Sequence, residues 1–173
     1  MQAQDRLVET SRHVVRVAMI INRLFLLAVS LALLLSWVFS AQLMSFLSQS
    51  NPGVDAPSEL VGLRFEMLIG ITMAIATDRL LANLGLIVAS ASAGDPFKAA
   101  NARRLQTIGW SLLVLQLVDV PAAILSRLCP SLGSAAPSVT FSAGGWVAVL
   151  MVFVLSRVFA RGSLMRDELD GTI

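Results

Sequence analysis

Asp78, Arg79, Asp119 and Arg157 are charged residues inside stretches otherwise apolar enough to lie in lipid. Gln42, Asn83 and Gln116 are their neutral polar company. A charge at mid-bilayer costs about 2.5–3.5 kcal/mol on insertion scales, so each needs a partner, a water pocket or a task. Opposite charges at one depth can form an ion pair, which either fixes which helices touch or serves binding and switching. A chain of carboxyls and amides can relay protons. The nearest thing to a relay is Asp119 with Gln116, one turn apart on the same helical face, and one carboxyl with one amide makes no chain.

Depth can be matched through the hairpins. With an inner turn centred near Asp95, Asp78 comes level with Leu112 and Asp119 with Ile71. With an outer turn near Gly133, a residue near Ser111 comes level with about Arg157. Asp78, Arg79 and Arg157 then share a layer in the inner half, and Asp119 lies about 12 Å away along the helix axis. The expected arrangement is an Asp78–Arg157 ion pair with Arg79 beside it or snorkelling to the inner headgroups. Asp119 should face the protein interior or an outer water pocket, hydrogen-bonded to Gln116.

Other chemistry finds no residues. His13 is the only histidine and sits in a basic N-terminal segment; Cys129 is the only cysteine. That excludes an internal disulfide and a Cys/His metal cluster, and it leaves no nucleophile–base–orienter set. The reading is therefore of a non-enzymatic protein with no catalytic residue, no metal and no cofactor.

The elements that must position these charges are helices in a membrane. The 173 residues are 56% hydrophobic and 14% charged, against about 25% charged in soluble domains, so polar residues are too few to cover a globule. Four apolar stretches alternate with connections that are basic, then not. Arg6, Arg12, Arg16 and Arg23 precede the first; Lys98, Arg103 and Arg104 separate the second and third; Arg157, Arg161 and Arg166 close the fourth. Residues 48–63 contain no Lys or Arg, and the last connection has only Arg127. This positive-inside pattern predicts an all-α membrane fold of four antiparallel, up-and-down transmembrane helices with both termini cytoplasmic. The chain reads as a single domain, 1–173, with spans at about 20–47, 61–92, 104–128 and 140–161. The setting this implies is a membrane whose inner face is the cytoplasm. The basic charge reads as topology and contact with the lipid bilayer rather than direct nucleic-acid binding.

Residues 5–22 form an amphipathic lead-in with Leu7, Ser11, Val14, Val15 and Ala18 on one face. The Pro52-Gly53 and Pro57 breaks separate the first two spans, with Ser58 as a candidate cap for the second. The hairpin after span 2 is legible by residue. Gly94 suits a left-handed helix end, Asp95 caps the next helix, and Pro96 takes its first position, where a missing N–H costs nothing. Pro121 should kink span 3. Gly70 with Ala74, and Gly85 with Ala89 and Ala93, give small-residue spacing that brings helices close, within the chain or in a homo-oligomer.

The stretch Gly94 to Trp110, "GDPFKAANARRLQTIGW", and the ending "VFARGSLMRDELDGTI" resemble the YoaS-like four-helix membrane proteins of bacteria, a domain of unknown function. The ending departs from the family pattern in having Asp-Gly before Thr-Ile. Such proteins are often encoded beside a small Cro-type helix-turn-helix regulator. The resemblance thus implies a membrane protein that holds or senses for a regulator of that kind. Phe97, Asn101, Arg103, Arg104, Arg161 and Arg166 are the candidate docking residues on the cytoplasmic side. The alternative is a small transporter or channel subunit using Asp78, Arg79, Arg157 and Asp119. It would call for inverted repeats or helices broken at the midplane. No convincing repeat is present.

Overall fold

The computed structural model describes residues 2–50, 53, 55–92, 98–128 and 142–170, with side chains described over 9–50, 53, 55–92, 98–124 and 142–166. Among these residues there are five helices and no strand: α1 (Gln2–Val38), α2 (Ser40–Ser50), α3 (Ala56–Ser92), α4 (Ala99–Leu128) and α5 (Ala143–Asp170). Four of them contain segments long and apolar enough to cross a membrane: Glu9–Val38, Ala56–Ser92, Ala99–Ile124 and Ala143–Arg166.

The amphipathic lead-in runs without interruption into the first apolar stretch as one helix, α1, which stops at Val38, so the span expected over 20–47 is divided. After Phe39 the short α2 carries the rest. The junction keeps its backbone ladder, since the Phe39 N–H donates to Leu35 O at 2.9 Å and the Leu43 N–H to Phe39 O at 3.0 Å. The face of the lead-in is also shifted. Val15 is buried with Ala18 and Met19 half-buried beside it, but Val14 is 61% exposed.

Helix ends follow local chemistry. Gly53 has φ +107°, a backbone conformation that side chains with a Cβ rarely adopt. Asp55, not Ser58, precedes the first turn of α3; Ser58 lies inside that turn and donates its hydroxyl to the Asp55 carboxylate. Pro57 falls where its missing N–H costs nothing. Ser142 caps α5, accepting the Gly145 N–H on its Oγ at 3.1 Å. The expected hairpin residues Gly94, Asp95 and Pro96, together with Phe97 and Cys129, lie outside the described residues. At 37 residues, α3 is about 55 Å long, far more than the roughly 30 Å hydrocarbon core.

The chain divides into two compact units. One comprises Met1–Asn22, Ala76–Val114 and Ser142–Ile173; the other comprises Arg23–Ile75 and Leu115–Phe141. In the first unit, Val15 of α1 packs 3.4 Å from the position a Cβ on Gly85 would take, and the Phe153 ring of α5 lies 3.1 Å from that position on Gly109 of α4. Phe153 also meets Trp110 edge-on, with ring centroids 5.4 Å apart. In the second unit, Val29 of α1 lies 3.9 Å from the position a Cβ on Gly70 of α3 would take. The glycines expected to bring helices together therefore receive α1. The buried apolar residues are few and often small, among them Ala74, Ala76 and Ala102, as expected where lipid removes the hydrophobic drive and close packing must replace it.

Candidate functional site

The best-defined polar feature lies in the first unit, where α3 meets α4. Asn101 is 0% exposed. Its Nδ2 donates to Ser90 Oγ at 2.7 Å, and Ser90 Oγ donates onward to Ile87 O at 2.9 Å. Arg104, one turn further along α4, donates Nη1 to Asn101 Oδ1 at 2.9 Å and to Leu86 O at 3.1 Å. The Asn101 N–H closes on Lys98 O at 2.8 Å. A buried amide left without partners would cost about 1–3 kcal/mol, so the network is what allows Asn101 to sit there. These contacts correct two docking candidates. Asn101 is inside the protein, and Arg104 is half-buried and committed to α3. The spacing of Asn101 and Arg104, three apart on one helical face, is the sequence signal for such a clasp.

Beside the clasp, α4 and α5 border an open groove of 690 Å³. Arg103 and Gln106 line it from α4, Arg157 from α5, with Phe153, Val154 and Leu164 as the larger apolar walls. Ser156 and Ser163 lie at its base, both buried, each hydroxyl bonded to its own helix: to Phe153 O at 2.8 Å and to Ala160 O at 3.0 Å. Such back-bonding satisfies a buried hydroxyl without a neighbour. Arg103 and Arg157 are exposed, and neither guanidinium has a hydrogen-bond or ion-pair partner among the described residues.

That placement bears on the intramembrane charges. The Asp78–Arg157 pair is not made at ion-pair distance: Arg157 faces the groove, and Asp78, half-buried, has a polar interaction of its own. Matching levels along the helices estimates depth but not the direction in which a side chain leaves its helix. Arg79 is exposed, and its carbonyl accepts Asn83 Nδ2 at 2.8 Å. Asp119 and Gln116 are both half-buried in the second unit. Gln116 has a contact of its own, but Asp119 has no hydrogen bond with a described residue, so their expected bond is absent. Arg161 and Arg166 are exposed on α5, and His13 is exposed on α1. No group of three or more His, Cys, Asp or Glu that could hold a metal ion occurs among the described residues.

Sequence reading missed the role of Arg64 in the second unit. Its Nη2 donates to Ser36 O at 2.7 Å and its Nε to Ser36 Oγ at 3.3 Å, with the guanidinium 4.2 Å from the centre of the Trp37 ring. Arg64 thus clamps α3 to the end of α1, just before the junction at Phe39. The signal available was an arginine near an expected helix end with a tryptophan on the preceding helix, too common to single out.

Helices of this length, whose apolar residues are mostly exposed, define a multi-pass membrane protein: Leu27, Leu34, Val38, Leu150 and Met151 are each at least 65% exposed, a surface suited to lipid rather than water. The chain belongs to the family described as "Protein of unknown function (DUF2975)", whose model matches residues 43–173. Comparisons with curated proteins and with solved structures give no match.

Proposed function

We propose that the protein is a non-enzymatic, four-span protein of a bacterial inner membrane whose cytoplasmic face docks a soluble partner. A small helix-turn-helix regulator is the candidate partner. The observation that carries this reading is one-signed charge. Lys98 stands just before α4, and Arg103, Arg104, Arg157, Arg161 and Arg166 stand on the parts of α4 and α5 in the first unit whose side chains are described, 99–114 and 143–166, with no acid among them. All of these except Arg104 are exposed. Asp167, Glu168 and Asp170 follow on α5, beyond the described side chains. The positive-inside rule puts such residues in the cytoplasm, and the pairing of Ser90 with Asn101 and Leu86 with Arg104 supports an antiparallel turn there.

The test is in-cell crosslinking of the full-length tagged protein, followed by mass spectrometry of what copurifies in mild detergent. A small DNA-binding protein that is captured by the wild type and lost on Arg161→Glu/Arg166→Glu substitution is the expected result. Recovery of self-crosslinks alone would overturn the docking reading. Against the transport alternative, α3 runs unbroken past Asp78 and Arg79, where a midplane transport site commonly uses a discontinuous helix.

A further inference from the structure

We infer that the groove between α4 and α5 is a binding site for an anionic phospholipid, with Arg103 and Arg157 holding its phosphate. Arg103 and Arg157 come from different helices into one groove, so their positive potentials add where an anion would enter it. Among the described residues, neither has an acceptor and no acidic residue lines the groove. Ala99 and Ala102 of the first turn of α4 also line it. The positive end of a 30-residue helix therefore adds to the same potential. A planar guanidinium matches a phosphate with two parallel hydrogen bonds, so Arg103 and Arg157 supply the geometry as well as the charge.

The rest of the lining selects a lipid over a soluble anion. Phe153, Val154, Ala160 and Leu164 make one part of the groove apolar. Val154 and Leu164 are 64% and 63% exposed, on the surface that a bilayer would cover. A volume of 690 Å³ falls in the ordinary range for small-molecule sites of about 300–1,000 Å³. It suits a headgroup and glycerol, with the acyl chains running out along the helices. Basic pockets between transmembrane helices on the cytoplasmic side hold anionic headgroups by this same combination.

The test uses the full-length protein in mild detergent and native mass spectrometry with added phosphatidylglycerol or phosphatidylcholine. The wild type should retain phosphatidylglycerol in preference to phosphatidylcholine. Arg103→Gln/Arg157→Gln should reduce that retention roughly tenfold or more, on the contribution of a basic residue near an anionic lipid surface. Arg12→Gln/Arg16→Gln, which removes the same charge from α1, should leave it unchanged. Arg103→Lys/Arg157→Lys keeps the charge without the planar fork and should fall between. Helix content by circular dichroism separates a lost site from a lost fold. Unchanged phosphatidylglycerol retention in the Gln and Lys variants, or equal retention of the two lipids by the wild type, overturns the site. A further arm adds millimolar inorganic phosphate without lipid. If phosphate raises the thermal midpoint as much as phosphatidylglycerol does, through the same arginines, the ligand is a soluble phosphate and the lipid assignment falls.

Discussion

Asn101 shows how one residue can be read two ways. In sequence it belongs to a polar, basic connection and looks like surface. In the structure it is fully buried, and its side chain joins Ser90 on α3 to Arg104 on α4. Asn101→Ala should lower stability by about 1–3 kcal/mol, because it strands the groups that Asn101 now satisfies. Thermal unfolding in detergent of Asn101→Ala, Ser90→Ala and the double variant measures the coupling. Additive losses would mean that the clasp is not an energetic unit. Arg64 makes a related case. Arg64→Lys keeps the charge but cannot reproduce the two-point contact with Ser36 and the stacking on Trp37. With Trp110 and Trp146 replaced by Phe, Trp37 fluorescence should shift in Arg64→Lys nearly as much as in Arg64→Ala, whereas a wild-type spectrum in the lysine variant would make simple charge the explanation.

Among the helices, α1 and α5 reach their neighbours through glycine. Gly85 and Gly70 receive valines of α1, and Gly109 receives the Phe153 ring. Even a methyl at position 109 would lie 3.1 Å from that ring, which must shift by a few tenths of an ångström, and a larger side chain must displace it further. Gly109→Leu should therefore cost about 1–3 kcal/mol as overpacking, seen as a lower thermal midpoint. Phe153→Ala in the same background should recover part of the loss. The small-residue spacing in span 2 was legible because period and residue size suffice to find it. Its partner was not, because spacing names a face and not the helix that fills it. The end of α1 at Val38 was hidden for another reason: residues 24–47 carry no charge, proline or glycine, and nothing local marks where one helix ends and α2 begins.

For the whole molecule, the testable statement is topology. In a Cys129→Ser background, Ser50→Cys should react with a membrane-impermeant maleimide in intact cells, and Met165→Cys only after permeabilisation. Both positions are exposed, Met165 by 60%, whereas Ser163 is buried and a poor reporter. The opposite labelling pattern would overturn cytoplasmic termini.

Composition and the placement of arginine were enough to establish the class: too few polar residues for a water-facing surface, and apolar stretches long enough to cross lipid. Those are sums and periodicities along the chain, which folding does not alter. Tertiary structure decided which polar residues meet. Asp78 and Arg157 come level by counting residues, but Arg157 lines the groove between α4 and α5. Asn101 and Arg104, basic-loop residues by sequence, turn inward onto α3. A side chain's direction around its helix depends on how the helices are rotated against each other, and packing between distant segments sets that rotation.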